Sequence, residues 1–359
     1  MEHILVETPS GSYPIYIKEN FDGLLETAWA NGTGGKACIV TDRNVSKIYA
    51  SEIKRLFSAL YAEVSVYEFD PGEKNKNLGT ISDVYDFLLQ NKIDRKTLIA
   101  GLGGGVAGDM AGFAAATYMR GIPFVQIPTS LLAQVDSSVG GKVGVDFKNS
   151  KNIVGAFYQP RYVYINTKTL ETLPKREFSS GMAEVIKYGP IYSRDFYEYL
   201  KKNVEGIKEH KKEVLENMIG ICCQIKAAVV SQDEKETGLR EILNFGHTIG
   251  HAIETLKEFD LLHGECVALG MVAAMYLSCQ KGYVPQEEVE ELKKLLTAFD
   301  LPVSVSGLSA EDIYRQMFLD KKVKNNQIGF VLIQSIGRAI RTTELSKEEL
   351  LDGIEYVLE

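Results

Sequence analysis

The sequence predicts an α/β protein in two parts. A Rossmann-like N-terminal domain, doubly wound about a mainly parallel sheet, is followed by a mostly α-helical C-terminal domain. Two textures and the break between them carry this reading. From residue 1 to 173, short β-branched runs alternate with amphipathic stretches, the pattern of β-α units. Beyond "LETLPKREF" the chain turns to long segments of helical apolar periodicity. Pro174 and its neighbours separate the two, so the domains are expected at 1–173 and 174–359.

In the first part, "KACIVTD" reads as a strand, "SEIKRLFSALY" as a helix, "AEVSVYEFD" as a strand and "ISDVYDFLLQNK" as a helix. "TLIAGLGGG" is then a buried strand, "VAGDMAGFAAATYM" a helix and "PFVQIP" a strand. In the second part, "EVLENMIGICCQIKAAVV", "GHTIGHAIETLKEF", "GECVALGMVAAMYLSCQKGY" and "PQEEVEELKKLLTAF" read as helices. A strand-like "IGFVLIQSIGRAI" precedes a last helix near "SKEELLDGIEYVL". With no repeat or long linker, the halves are expected to pack directly. The cleft between them should lie at the strand carboxyl ends, where α/β folds gather ligands.

Composition narrows the function. Of 359 residues, 45% are hydrophobic and 25% charged, and the net charge is −8, with 40 Lys and Arg interspersed among 48 Asp and Glu. That balance argues against nucleic acid as a partner, and it requires any anionic ligand to be met by a local cluster of cations. The N-terminus lacks a signal-peptide pattern, and no uninterrupted apolar run has the length of a membrane span. Five cysteines without C-x-x-C spacing read as thiols of a reducing compartment, so the cytoplasm is expected.

Gly103, Gly105 and Gly108 satisfy G-x-G-x-x-G between a predicted strand and a helix. Glycines there allow close backbone approach, so amide groups at a helix N-terminus can face a pyrophosphate. Asp42, ending an earlier strand, suits either a ribose or a helix N-cap. A second stretch, "PTSLLAQVDSSVGGKVGVDFKNSKN", reads as one loop collecting hydroxyls, amides and cations for a phosphorylated ligand.

Histidines mark the helical half. His247 and His251 stand four residues apart, and His263 follows closely, whereas His210 reads as part of a solvated face. Glu184 sits in an apolar helical segment, where a lone carboxylate is expensive unless a cation compensates it. Two imidazoles and one carboxylate would leave an open coordination position, the arrangement of a catalytic metal, with the third imidazole available for other work. Lys187 is one step past Glu184, and Asn244 and Arg240 are expected one and two helical turns before His247, as part of a cationic pocket.

"LGGGVAGDMAGF", "RGIPFVQIPTSLLAQVDSSVGGK", "KNIVGAFYQP", "GMAEVIKYG", "DEKETGLREILNFGHTIGHAIE" and "HGECVALGM", in this order, closely resemble the 3-dehydroquinate synthase family. The resemblance runs from Asp42 to about Lys322 and implies a homodimeric cyclase of the shikimate pathway. Such an enzyme converts 3-deoxy-D-arabino-heptulosonate 7-phosphate, a small sugar phosphate, into 3-dehydroquinate and phosphate. NAD is reduced and reoxidised within each turnover, and the divalent metal is zinc or cobalt.

By the same resemblance the metal ligands fall on Glu184, His247 and His263. NAD contacts fall on Asp42, Asn44, Glu73, Lys76, Gly104, Gly105, Val106, Asp109, Thr129, Ser130, Lys142 and Lys151, and on Thr169, Leu170, Glu171 and Thr172. Substrate and chemistry residues fall on Arg120, Asp136, Lys142, Lys151, Asn152, Lys187, Lys226, Arg240, Asn244 and His251, with one of Lys321 or Lys322. The chain departs from the family pattern after Lys142, where "VGVDF" replaces a threonine-led stretch with an asparagine–histidine pair near Asp146. The rival readings are a related sugar-phosphate cyclase, an NAD- and metal-dependent polyol dehydrogenase, and a non-catalytic nucleotide-binding protein.

Overall fold

A computed structural model describes residues 3–31, 35–148, 150–258, 260–318, 323–324 and 327–359. The chain divides into two compact units, Met1–Leu173 with Leu215–Lys235, and Pro174–Val214 with Glu236–Glu359. The first stretch of unit one thus ends at Leu173, and a later segment returns to it.

The first unit contains nine strands among the described residues: β1 (Ile4–Thr8), β2 (Gly11–Lys18), β3 (Lys36–Asp42), β4 (Glu63–Phe69), β5 (Leu98–Gly103), β6 (Phe124–Pro128), β7 (Lys142–Phe147), β8 (Ser150–Phe157) and β9 (Val163–Asn166). Seven form one sheet in the order β1-β2-β9-β6-β5-β3-β4. Only the β1–β2 pair in it is antiparallel. Every residue of β5, β6 and β9 is buried, which explains their continuous apolar runs: a strand covered on both faces has no polar side to alternate with.

Two apolar clusters account for that double cover. Ile53 and Phe57 of the helix Ser51–Phe57 pack with Ile39, Ala100 and Val125 in one. Val84 of the helix Leu78–Gln90 and Met110 and Ala114 of the helix Gly105–Thr117 pack with Cys38, Val40 and Ile99 in the other. The helix Gly105–Thr117 lies very close to the sheet. A Cβ on Gly108 would stand 2.3 Å from Gln126 Oε1, and one on Gly112 would stand 3.1 Å from the Phe124 ring.

The stretch from Pro128 to Asn152 is not one loop. It forms a helical turn, Ala133–Ser137, and then the antiparallel hairpin β7–β8, in which Val143, Gly144 and Val145 are all buried and pair with Ala156, Gly155 and Val154. The helix Lys212–Gln232 also departs from expectation. It is long and apolar enough to cross a membrane, although short of an uninterrupted apolar run, and from Leu215 onward it belongs to the first unit. There it buries Ile219, Cys222, Cys223 and Val230, and Cys223 Sγ lies 3.4 Å from Gln134 O, so it serves as a core helix.

The second unit is built on the helix His263–Gln280, buried from Gly264 to Met275 without interruption. The helices Lys175–Tyr192 and His247–Leu256 pack against it, and the strands Phe330–Ser335 and Arg338–Thr342 form a hairpin in the same unit. The last helix, Lys347–Glu355, starts at a Ser346 cap whose partner is Glu349.

Candidate active site

In the first unit most of the candidate nucleotide residues follow the carboxyl ends of five neighbouring parallel strands. Asp42 and Asn44 come at the end of β3, and Glu73 and Lys76 follow β4. Gly104, Gly105, Val106 and Asp109 follow β5, Thr129 and Ser130 follow β6, and Thr169 to Thr172 follow β9. One edge of the sheet therefore receives them all, the edge that binds ligands in this architecture.

The glycine turn at the centre of that edge has a specific geometry. Gly103 has φ +149°, and a Cβ there would meet Ala107 Cβ at 2.8 Å. No side chain caps the helix Gly105–Thr117, so its first amides point outward without a side-chain acceptor, as an anion site requires. A Cβ on Gly104 would approach Ser130 Oγ to 3.3 Å, and one on Gly105 would approach Ser137 Oγ to 3.2 Å. Asp42 does act as an N-cap: its Oδ1 accepts from the amides of Asn44 (2.8 Å) and Val45 (3.1 Å).

Lys76 is buried and joins two expected groups. Its Nζ donates to Asp109 Oδ2 and to Asn152 Oδ1, each at 2.6 Å, with Glu73 Oε1 at 3.7 Å. Burial disfavours the ammonium charge, but Asp109 and Glu73 outweigh it and hold the pKa above the ordinary lysine value. Its carbonyl also accepts from the Asp146 amide at 2.8 Å, which docks the β7–β8 hairpin carrying Lys142, Lys151 and Asn152. Nearby in sequence, Asp136 pairs with Lys226, whose Nζ also donates to the Asp136 carbonyl at 2.6 Å. Arg120 is exposed at a turn with φ +67°. Thr169 and Leu170 are buried, Thr169 Oγ1 being held by Gln134 Nε2 (3.0 Å) and Asn166 O (2.8 Å), while Glu171 and Thr172 are exposed.

In the second unit close helix packing assembles the histidines. Gly264 touches the neighbouring helix so tightly that a Cβ would stand 1.9 Å from Ser180 O, and one on Gly270 would stand 1.8 Å from Gly246 O. A Cβ on Gly250 would lie 2.7 Å from Cys266 O. These contacts bring His247, His251 and His263 together, with a nitrogen from each lying within 4.8 Å of the others.

Glu184 is fully buried beside them. Its Oε1 has no hydrogen-bond partner, and His263 Nε2 and His247 Nε2 lie 3.4 and 3.6 Å from it. Lys187 Nζ donates to its other oxygen, Oε2. Burial works against a charge on His263, but Glu184 and Glu254 outweigh it and raise the pKa to about 9. The place therefore calls for positive charge, and three imidazoles with a carboxylate are the donor set of a borderline metal such as zinc.

Arg240 and Asn244 are not on a helix continuous with His247. They lie on the tight turn Leu239–Asn244, and Gly246 at φ +80° breaks the chain before the helix His247–Leu256 begins. Arg240 is nonetheless buried, and Asn244 Nδ2 donates to Glu236 Oε1 at 2.7 Å. Lys321 and Lys322 lie outside the described residues. Residue-by-residue reading missed Glu254 and Asp146. The signal for Glu254 was its place three residues after His251 and seven after His247, on the same helix face.

An uncapped glycine turn at the sheet edge of one unit and a histidine–carboxylate centre in the other define a nucleotide- and metal-dependent enzyme. Residues 66–180 match the 3-dehydroquinate synthase N-terminal family model, and residues 181–323 match the C-terminal one. The chain belongs to the 3-dehydroquinate synthase family and is a phosphate-eliminating cyclase. It is 51% identical to the 3-dehydroquinate synthase of Acetivibrio thermocellus over 96% of this chain and 95% of that one. It is 49% identical to that of Ruminiclostridium cellulolyticum, covering 95% and 96%. Among solved structures, a 2-deoxy-scyllo-inosose synthase complexed with carbaglucose-6-phosphate, NAD+ and Co2+ superposes with a TM-score of 0.89 at 26% identity, covering 98% and 99%.

Proposed function

We propose that this chain converts 3-deoxy-D-arabino-heptulosonate 7-phosphate into 3-dehydroquinate and inorganic phosphate, using NAD at the glycine turn and zinc or cobalt at the histidine centre. The observation that carries the reading is Glu184 Oε1, a buried carboxylate oxygen with no donor, faced by Nε2 of two histidines. A cation completes that valence, and the similar inosose synthase was solved with Co2+ and NAD+.

When bound, NAD supplies a hydride acceptor that is restored within the turnover, and the ion supplies a Lewis acid for the carbinol oxygen. Glu184, His247 and His263 hold the ion, and Lys187 fixes the Glu184 rotamer through Oε2. His251 meets the substrate. The amides of Gly105 and Val106 face the pyrophosphate, flanked by Thr129 and Ser130, while Asp42, Asn44, Glu73, Asp109 and the Thr169–Thr172 segment complete the nucleotide set. Lys142, Lys151 and Asn152 hold the departing phosphate from the hairpin, with Lys76 bonding Asn152 in place. Arg120, Asp136, Lys226, Arg240 and Asn244 complete the cationic and polar set that an anionic substrate requires.

The enzyme works as a cytoplasmic homodimer. Support for the compartment comes from the five cysteines, none of them in a disulfide and four of them buried. Incubation of the purified protein with the heptulosonate phosphate, zinc and catalytic NAD, followed by mass spectrometry and a phosphate assay, tests the reaction. The expected result is equimolar dehydroquinate and phosphate without accumulated NADH. NADH rising in step with product, with no phosphate, would identify a dehydrogenase instead.

A further inference from the structure

The two proposed histidine ligands resemble each other in a way that their own positions do not require. Nδ1 of His247 lies 3.1 Å from the backbone carbonyl of Phe245, which fixes the proton on Nδ1 and leaves Nε2 as a lone-pair donor. On His263 the corresponding Nδ1 lies 3.7 Å from Oε2 of Glu254, while Nε2 faces Glu184. At that distance the contact is an ion pair rather than a formed hydrogen bond, and a small turn of the ring closes it. Glu254 is 3% exposed, so its carboxylate is desolvated and its contact with the His263 ring is little screened by water.

We infer that Glu254 is a positioning residue for the metal centre: it holds the Nδ1–H of His263, so that Nε2 is presented to the ion beside Glu184. The inference rests on the metal reading above and extends it to a residue that touches neither ion nor substrate. A carboxylate behind an imidazole sets the tautomer, fixes the ring and raises its basicity as a ligand. The three groups come from separate helices: Glu254 from His247–Leu256, His263 from the first turn of His263–Gln280, and Glu184 from Lys175–Tyr192. The Glu254 carboxylate therefore also ties the His247–Leu256 helix to a ligand carried by its neighbour.

The test compares wild type with Glu254→Gln and Glu254→Ala by zinc competition against a chromophoric chelator, alongside thermal melting of the metal-free proteins. Gln keeps the shape and an acceptor oxygen but removes the charge, so zinc affinity should fall about tenfold; Ala should approach about a hundredfold. The metal-free Glu254→Gln protein should melt within about a degree of wild type, since a neutral acceptor in the same volume leaves the packing intact. In zinc-loaded wild type, long-range 1H–15N correlation should show His263 bound through Nε2 with its proton on Nδ1. A Glu254→Gln affinity within about twofold of wild type, or His263 bound through Nδ1, overturns the inference while leaving the metal reading standing. Wild type that takes up no zinc refutes the metal reading itself.

Discussion

Gly264→Ala directly perturbs the helix contact that sets His263 beside Glu184. The added Cβ would stand 1.9 Å from Ser180 O, 2.6 Å from Ser180 C and 2.8 Å from Ser180 Cα. A carbon–oxygen contact settles near 3.3 Å, so roughly 1.4 Å must be recovered, and every opposing atom is backbone that cannot rotate away. The Gly264 amide also donates to Ser180 Oγ at 3.0 Å, a bond that the separation would break. Overpacking of this kind costs about 1–3 kcal/mol.

The larger consequence is geometric. His263 precedes Gly264 directly, and Glu184 lies one turn beyond Ser180, so parting the helices moves two ligands against each other. Metal–ligand distances tolerate only about 0.2 Å of change. Zinc affinity should therefore fall at least about a hundredfold, the upper end of what losing a supporting contact produces. Chelator competition on the folded variant, confirmed folded by circular dichroism, measures this. Gly220→Ala is the control, because its Cβ meets only Ile17 Cδ1 at 3.8 Å and should leave zinc binding unchanged. Wild-type zinc affinity in Gly264→Ala would refute the reasoning.

Three further outcomes are expected. Glu184→Ala should lose bound metal, and stoichiometric zinc by elemental analysis would remove that residue from the ligand set. His251→Ala should keep the metal while turnover drops by about two to four orders of magnitude; a metal-free protein would instead make His251 a ligand. Lys76→Met leaves the half-buried Asp109 carboxylate without that partner, which should cost about 1–3 kcal/mol and weaken NAD binding. An unchanged urea midpoint would show that the pair contributes nothing.

Much of the site was legible because it is written in local spacing. The glycine turn follows from a strand, three glycines and a small-residue helix read in order, and His247 and His251 share a face through their four-residue separation. The pairing of Lys187 with Glu184 is likewise a spacing of three on one helix. Where the local signal was weaker, the reading slipped. The hydroxyls, amides and cations around Gly140 and Gly141 suggest a loop, yet the buried run Val143 to Val145 pairs with β8 and builds a hairpin. Arg240 and Asn244 read as helical, but Gly246 interrupts the helix before His247.

The sequence by itself determined the element types, the strand–turn–helix that offers free amides, and the inventory of cations, histidines and carboxylates, because these depend on backbone preference and periodicity over a few residues. Tertiary structure alone decided the insertion of β9 between β2 and β6, the union of Lys76 with Asn152, and the turning of Thr169 and Leu170 into the fold. It also decided that Gly264 meets Ser180, and so which nitrogens face Glu184 and which faces Glu254. Those outcomes depend on which surfaces bury one another across dozens of residues, and periodicity carries no information about a surface's eventual partner.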